Sequence, residues 1–246
     1  MRKIIALTIC TVIIAVMLSG CVSVVFSPIL GSGLSGSGSP ESYTWDVGSF
    51  TDVRVDIHCD IKYYSAPSDT VTLEIQPNLR EYIEVEVSGG VLTVRATRSI
   101  STSGRAPVLT ISTPVLNSLS ISGAGVFTAF DTITTESFSL NIFGAGSGKA
   151  DFDVSELKVN MSGAGAFELS GRADNAEYSM SGAGTIEAFS LQSRDASVNL
   201  SGVGSVRLSC SDNLRINAGG MGTVEYRGSP NVDLSRGGMV TVRNVS

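Results

Sequence analysis

One phrase recurs through the second half of the chain and restricts its fold more than any other feature. It reads "LSISGAGVF" at 119–127, "VNMSGAGAF" at 159–167, "YSMSGAGTI" at 178–186 and "VNLSGVGSV" at 198–206. Aligned on the second glycine of the pair, copies fall at Gly125, Gly146, Gly165, Gly184, Gly204, Gly222 and Gly238, spaced by 21, 19, 19, 20, 18 and 16 residues. A period of this size marks a solenoid, in which each copy is one turn that buries its apolar residues only against its neighbours.

The columns of this alignment act as physical positions. Six before the glycine stand Leu119, Leu140, Val159, Tyr178, Val198, Ile216 and Val232, and four before stand Ile121, Ile142, Met161, Met180, Leu200, Ala218 and Leu234. Between them lie Ser120, Asn141, Asn160, Ser179, Asn199, Asn217 and Asp233. Strand alternation sends the two apolar columns inward and the polar column outward. Two and four after the glycine a second inward pair begins with Phe127 and Ala129 and ends with Val240 and Val242. Each turn therefore reads as strand, glycine corner, strand and variable loop, the loops being stretches such as "SGRADNA". The glycines Gly125, Gly146, Gly165, Gly184, Gly204 and Gly222 sit where the chain passes from one wall to the next, a place for positive φ or close backbone approach. Stacking at about 4.8 Å per strand makes a rod roughly 34 Å long from seven turns.

Before the repeat the chain has period-two strands. In "VRVDIHCDIKYY", Val53, Val55, Ile57, Cys59, Ile61 and Tyr63 alternate with polar residues. "TVTLEIQ", "YIEVEVSGGVLTVRA" and "PVLTIST" continue the pattern, with Gly89-Gly90 as a turn and Pro77 and Pro114 at strand ends.

The first twenty residues belong to no fold. "MRKIIALTICTVIIAVMLSGC" carries Arg2 and Lys3, an apolar run, and then Leu18-Ser19-Gly20-Cys21, the layout of a secretory signal. Its end resembles the lipobox of bacterial lipoproteins, which implies cleavage before Cys21 and a diacylglycerol on that thiol. The alternative is an uncut membrane anchor, since Ile4 to Phe26 is free of charge and long enough to span a bilayer. Both place the rest of the chain outside the cytoplasm. Residues 21–43, with "GSGLSGSGSPES", read as a lipidated cysteine and a flexible tether. Loss of residues 1–20 leaves 15 basic against 23 acidic residues, a net charge of −8, which disfavours nucleic acid as a partner. Cys59 and Cys210 lie several turns apart and are expected as two separate buried thiols.

The lipoprotein-like start, the early strands and the recurring "SGAG" flanked by "VNM" or "VNL" together resemble the head GIN domain family, labelled as auto-transporter adhesins. The resemblance covers roughly residues 44–246. It implies an all-β, single-domain, right-handed parallel β-helix, with the strand segment at 44–117 capping the repeat turns at 118–246. An autotransporter would carry a membrane β-barrel, read as several strands of about ten residues with aromatic girdles. No such run is seen and the chain ends within the repeat, so anchoring is expected to fall to Cys21.

Catalysis needs groups that converge on one pocket. His58 is the only histidine and no nucleophile elbow is present. Asp56, His58 and Asp60 share a strand face and form a possible metal set, though such residues are more often a solvated face; no metal or other cofactor is expected. Three after the glycine, Thr128, Lys149, Glu168, Glu187, Arg207, Glu225 and Thr241 bring charge onto one wall, most simply as ion pairs between turns. The candidate binding surface is the polar column Ser120, Asn141, Asn160, Ser179, Asn199 and Asn217, joined by Ser122, Ser162, Ser181, Ser201 and Ser235. Its amides and hydroxyls suit a cell-surface glycan or an envelope protein, or serve only to keep the sheet wetted. The expected function is a non-enzymatic, membrane-anchored adhesive or structural module. Two rivals are a polysaccharide-binding or polysaccharide-modifying envelope protein, and an accessory subunit docking through the end of the rod.

Overall fold

The computed structural model describes residues 33–102 and 104–245. The signal segment, Cys10 and Cys21 lie outside them. Strands make up 71% of the structure and helix 3%, so the all-β expectation holds. Seventeen strands form one sheet that winds around a single apolar core as a parallel β-solenoid.

The strand Ala164–Met180 spans almost a full turn and shows three walls. Its tail, Ala176, Tyr178 and Met180, points inward from wall A, which precedes the glycine corner. Phe167 and Leu169 point inward from wall B, which follows that corner. Gly171 and Ala173 belong to wall C, the segment that the sequence reads as a variable loop. That loop is a strand in register: Asp151 pairs with Ser170, Phe152 with Gly171, Asp153 with Arg172 and Val154 with Ala173. Wall C escapes a sequence reading because it has only two inward positions per turn, filled in places by Gly171, Ser193 and Cys210. Turn lengths differ, and the surplus is absorbed by irregularities at Glu168/Ser170, Ala188/Gln192 and Ser193/Asp195. Wall A and the glycine corner keep unbroken register.

The corner explains the repeat. An added Cβ at Gly165 would stand 1.7 Å from the carbonyl oxygen of Gly146, and one at Gly163 would stand 1.7 Å from that of Gly144. The close approach is between turns, along the axis. The residue that follows the first glycine of each pair, alanine in the early turns and Val203, Met221 or Met239 later, donates its N–H to the first glycine of the turn before, as from Ala164 to Gly144 at 3.0 Å and from Ala183 to Gly163 at 3.0 Å. A side chain at either glycine would push the turns apart and break these bonds.

The last turn departs from the sequence alignment. Gly222 pairs with Val240, where the alignment places Gly238, and Ala218 pairs with Arg236, where it places Leu234. The pair Gly237-Gly238 instead matches Gly219-Gly220, with Gly238 donating to the carbonyl of Ala218. A slip of two residues preserves which side chains face inward, so alternation could not expose it. The corrected spacing from 222 to 240 restores the 18 of the preceding turn.

The N-terminal strands do more than cap the rod. Asp52–Val55 lies between Val91–Ala96 and Ser118–Ile121 on wall A, and Asp60–Ser65 lies between Val108–Thr113 and Ala124–Ala129 on wall B, all parallel. The solenoid thus continues past the first repeat. Antiparallel strands close this end: Ile83–Ser88 on wall A, Thr70–Ile75 and then Glu41–Trp45 on wall B. The short 3₁₀ helix Pro77–Tyr82 inserts Leu79, which is fully buried. Ser88 and Val91 pair across Gly89-Gly90, whose φ values of 59° and 79° give the expected tight turn.

Part of the expected tether is structured. Leu34–Ser35 pairs with Ile100–Ser101, and Asn78 donates to the carbonyl of Ser35 at 2.8 Å while its Oδ1 accepts from the Ser37 amide at 2.8 Å. Leu34 packs against the core and draws this glycine-rich stretch onto the head.

Gly165→Val should cost on the order of 3 kcal/mol, because the clash is with backbone that cannot turn aside. Gly219→Ala, where an added Cβ meets nothing within 4 Å, should change stability by no more than about 0.5 kcal/mol. Thermal unfolding of the two variants checks the corner; equal destabilisation would contradict it.

Candidate functional site

Wall A carries the expected polar column in register: Ser120, Asn141, Asn160, Ser179, Asn199 and Asn217 face each other across consecutive turns. The column is continued by Ser235, not by Asp233. Much of its hydrogen-bonding capacity is used within the column. Asn160 donates to Asn141 Oδ1 at 2.9 Å and Asn217 to Asn199 Oδ1 at 2.9 Å, while Asn141 reaches Ser139 at 3.3 Å. Ser179 interrupts the ladder. These side chains are half-buried except Asn217, so the strip first serves to satisfy its own amides across turns. The six glycines expected at the corner stand in one column as read.

Beside this strip the same wall bends into wall C, and the bend forms a groove of about 580 Å³. Two outward columns line it. One holds Glu156, Asn175, Asp195, Asn213 and Asn231, and the other Lys158, Glu177, Ser197, Arg215 and Asp233. Pairing places the members of each column on successive turns. The floor is the strand segment at Leu157, Ala176, Ala196 and Leu214. Four carboxylates face two cations, so the groove is net acidic. Within it Asn213 donates to Asp195 at 2.6 Å and Arg215 meets Asp233 at 3.3 Å. The sequence reads the first column as loop, in "SGRADNA" and "QSRDAS". Its signal is a pair of adjacent polar residues that breaks strand alternation once per turn, Ser155-Glu156, Asp174-Asn175, Arg194-Asp195 and Asp212-Asn213.

On wall B the charged column forms ion pairs between turns, as its alternating signs suggest. Arg207 bonds Glu187 at 2.9 Å and Glu225 at 2.8 Å. The corrected register brings Arg243, not Thr241, onto Glu225, where its Nε donates at 2.7 Å. The Arg243 hydrogen bond does most to hold the Glu225 carboxyl below the ordinary glutamate range; burial opposes it and Arg207 reinforces it. Lys149 and Glu168 stack in register without a salt bridge among the described residues. Of the strand-face set Asp56, His58 and Asp60, Asp56 pairs with Arg54 at 2.9 Å and Asp60 accepts the Val126 amide at 3.2 Å. Cys59 and Cys210 are free, separate and buried, and burial raises the Cys59 thiol pKa to about 12. Neither is a nucleophile at neutral pH.

These features define a three-walled β-solenoid with a polar outer face and an axial groove. The chain belongs to the family described as "putative auto-transporter adhesin, head GIN domain", whose model matches residues 49–230. Solved structures share the fold. One described as a putative adhesin from Bacteroides fragilis has a TM-score of 0.72 at 23% identity, over 87% of this chain and 100% of that one. A putative adhesin from Parabacteroides distasonis has a TM-score of 0.65 at 22% identity, over 87% and 100%. Another Parabacteroides distasonis structure, described as a putative lipid binding protein, has a TM-score of 0.62 at 19% identity, over 87% and 99%. At these identities the likeness is one of fold. No curated protein matches the chain.

A carboxyl whose pKa is lower folded than unfolded stabilises the fold above the unfolded value and loses that contribution as pH falls through the folded value. Glu225→Gln should therefore unfold at a lower temperature than the wild type at neutral pH. The gap should close on acidification, below the ordinary glutamate range; a gap that is constant with pH would contradict the ion-pair assignment.

Proposed function

We propose that this protein is a non-enzymatic module held outside the cytoplasm by a lipid on Cys21, serving as an adhesive or structural surface of the cell envelope. The observation that carries the reading is wall A itself, a flat outer face on which polar columns repeat turn after turn without an orienting base or exposed nucleophile among the described residues. Such a face binds by area and repetition. Membership of an adhesin-labelled family supports it, as does the sequence before Gly33, with its signal-like run and Leu18-Ser19-Gly20-Cys21. Its partners are the membrane, through the lipid, and a cell-surface glycan or envelope protein, through wall A.

A polysaccharide-modifying activity is the second reading, favoured by the carboxylates of the groove. Glycosidases set two carboxyl groups across one bond, about 5 to 9.5 Å apart. Here the four carboxylates of the groove, Glu156, Glu177, Asp195 and Asp233, are exposed or half-buried, and none is buried as a general acid is. Reducing-end release from envelope polysaccharide should stay at background.

Residues 33–246 should bind isolated cell envelope saturably. A variant with Asn141, Asn160 and Asn199 changed to lysine should bind at least tenfold more weakly than one with lysines on wall B, at Thr128, Thr185 and Thr223. Equal binding by both would remove wall A as the contact surface.

A further inference from the structure

The groove on wall A, beside its bend to wall C, is assigned no role by the family or by the neighbouring structures. We propose that it binds an extended, uncharged or amino-bearing glycan laid along the solenoid axis, about one sugar unit per turn. The proposal rests on the surface-binding reading above and names the site and the ligand chemistry.

Three features point to this ligand. The first is length and pitch. The lining residues come from five successive turns, and at about 4.8 Å per turn the groove runs about 19 Å. That step is close to the length of one pyranose ring in an extended β-linked chain, whereas an extended peptide advances about 3.3 Å per residue. Such a glycan turns successive rings over, so it meets equivalent groups on every second turn, whereas a peptide drifts out of step.

The second is the donor and acceptor set. Asn175, Asn213 and Asn231 each offer both kinds of group, and Asp195 and Glu177 accept. Sugar hydroxyls both donate and accept, so neighbouring amides and carboxylates can hold them in pairs. The Asn213 to Asp195 bond of 2.6 Å fixes two of these side chains before any ligand arrives, which lowers the ordering cost of binding. The backbone of the floor is engaged in the parallel ladder between turns, so a peptide strand finds no open edge to pair with.

The third is charge. Four carboxylates against Lys158 and Arg215 leave the groove net negative, which repels uronates and other polyanions. No aromatic ring lines it, so affinity should be weak per unit and grow with the number of turns engaged.

The test is NMR titration of residues 33–246 with short β-linked oligomers of glucose, N-acetylglucosamine and glucosamine, and with α-linked oligogalacturonate as the polyanion, beside tetralysine. The neutral or amino-bearing oligomers should shift the side-chain amides of Asn175 and Asn213. Affinity should rise from dimer to pentamer and then level off. Asn175→Ala with Asn213→Ala should weaken binding at least tenfold, while Thr128→Lys on wall B leaves it within twofold; circular dichroism and the thermal midpoint check that both stay folded. Shifts confined to the Asn141 strip or wall B, preference for galacturonate, response to tetralysine alone, or no response to any oligomer would overturn the assignment. Envelope binding measured on the same samples separates the two levels: retained binding with a silent groove removes only the groove, and lost binding removes the surface reading as well.

Discussion

The structure depends on one contact repeated along its length, the approach of successive glycine backbones at the corner between walls A and B. A Cβ at most of these glycines would lie about 2 Å from a carbonyl of the turn before, far inside any allowed separation. Turns can therefore stack at sheet spacing only where no side chain is present. Once they do, the N–H groups of the intervening residues pair along the axis, and the inward columns meet as continuous apolar ridges. No turn has a core of its own, so stability belongs to the stack.

The same constraint shapes what the molecule can do. Rigid register at the corner holds wall A flat and repeats its outward groups at a fixed pitch. Irregularities in turn length fall between walls B and C and, at Ser193/Asp195, at the bend from wall C to wall A, outside the register of wall A itself. The groove lies on wall A beside its bend to wall C, and its two columns differ in chemistry, amides and carboxylates in one and mixed charge in the other. Function on such a scaffold is a matter of columns, and a ligand that matches the pitch gains from every turn it spans.

How far the sequence discloses this depends on how loudly each position speaks. Walls A and B were legible because Leu119, Val159 and Val198, or Phe127, Phe167 and Ile186, are large and apolar at constant distance from a glycine. Wall C was not, because its inward residues include Gly171, Ala173, Ser193 and Cys210, which look like loop. The shift of the final turn was hidden for another reason: a slip of two leaves every residue on its correct side, and only the short spacing before Gly238 betrayed it. The asparagine column could be seen in the sequence, but its mutual hydrogen bonds could not, and they move interest from that strip to the groove beside it.

Native-state hydrogen exchange at the corner amides of Ala164, Ala183 and Val203 tests the central claim most directly. If glycine stacking holds the rod together, these amides should exchange only through global unfolding, with the same free energy as core amides such as Val159 and Val198 and the same dependence on denaturant. Exchange by local opening, at a free energy well below that of the core, would show the corners to be loose connections and the walls to stand without them.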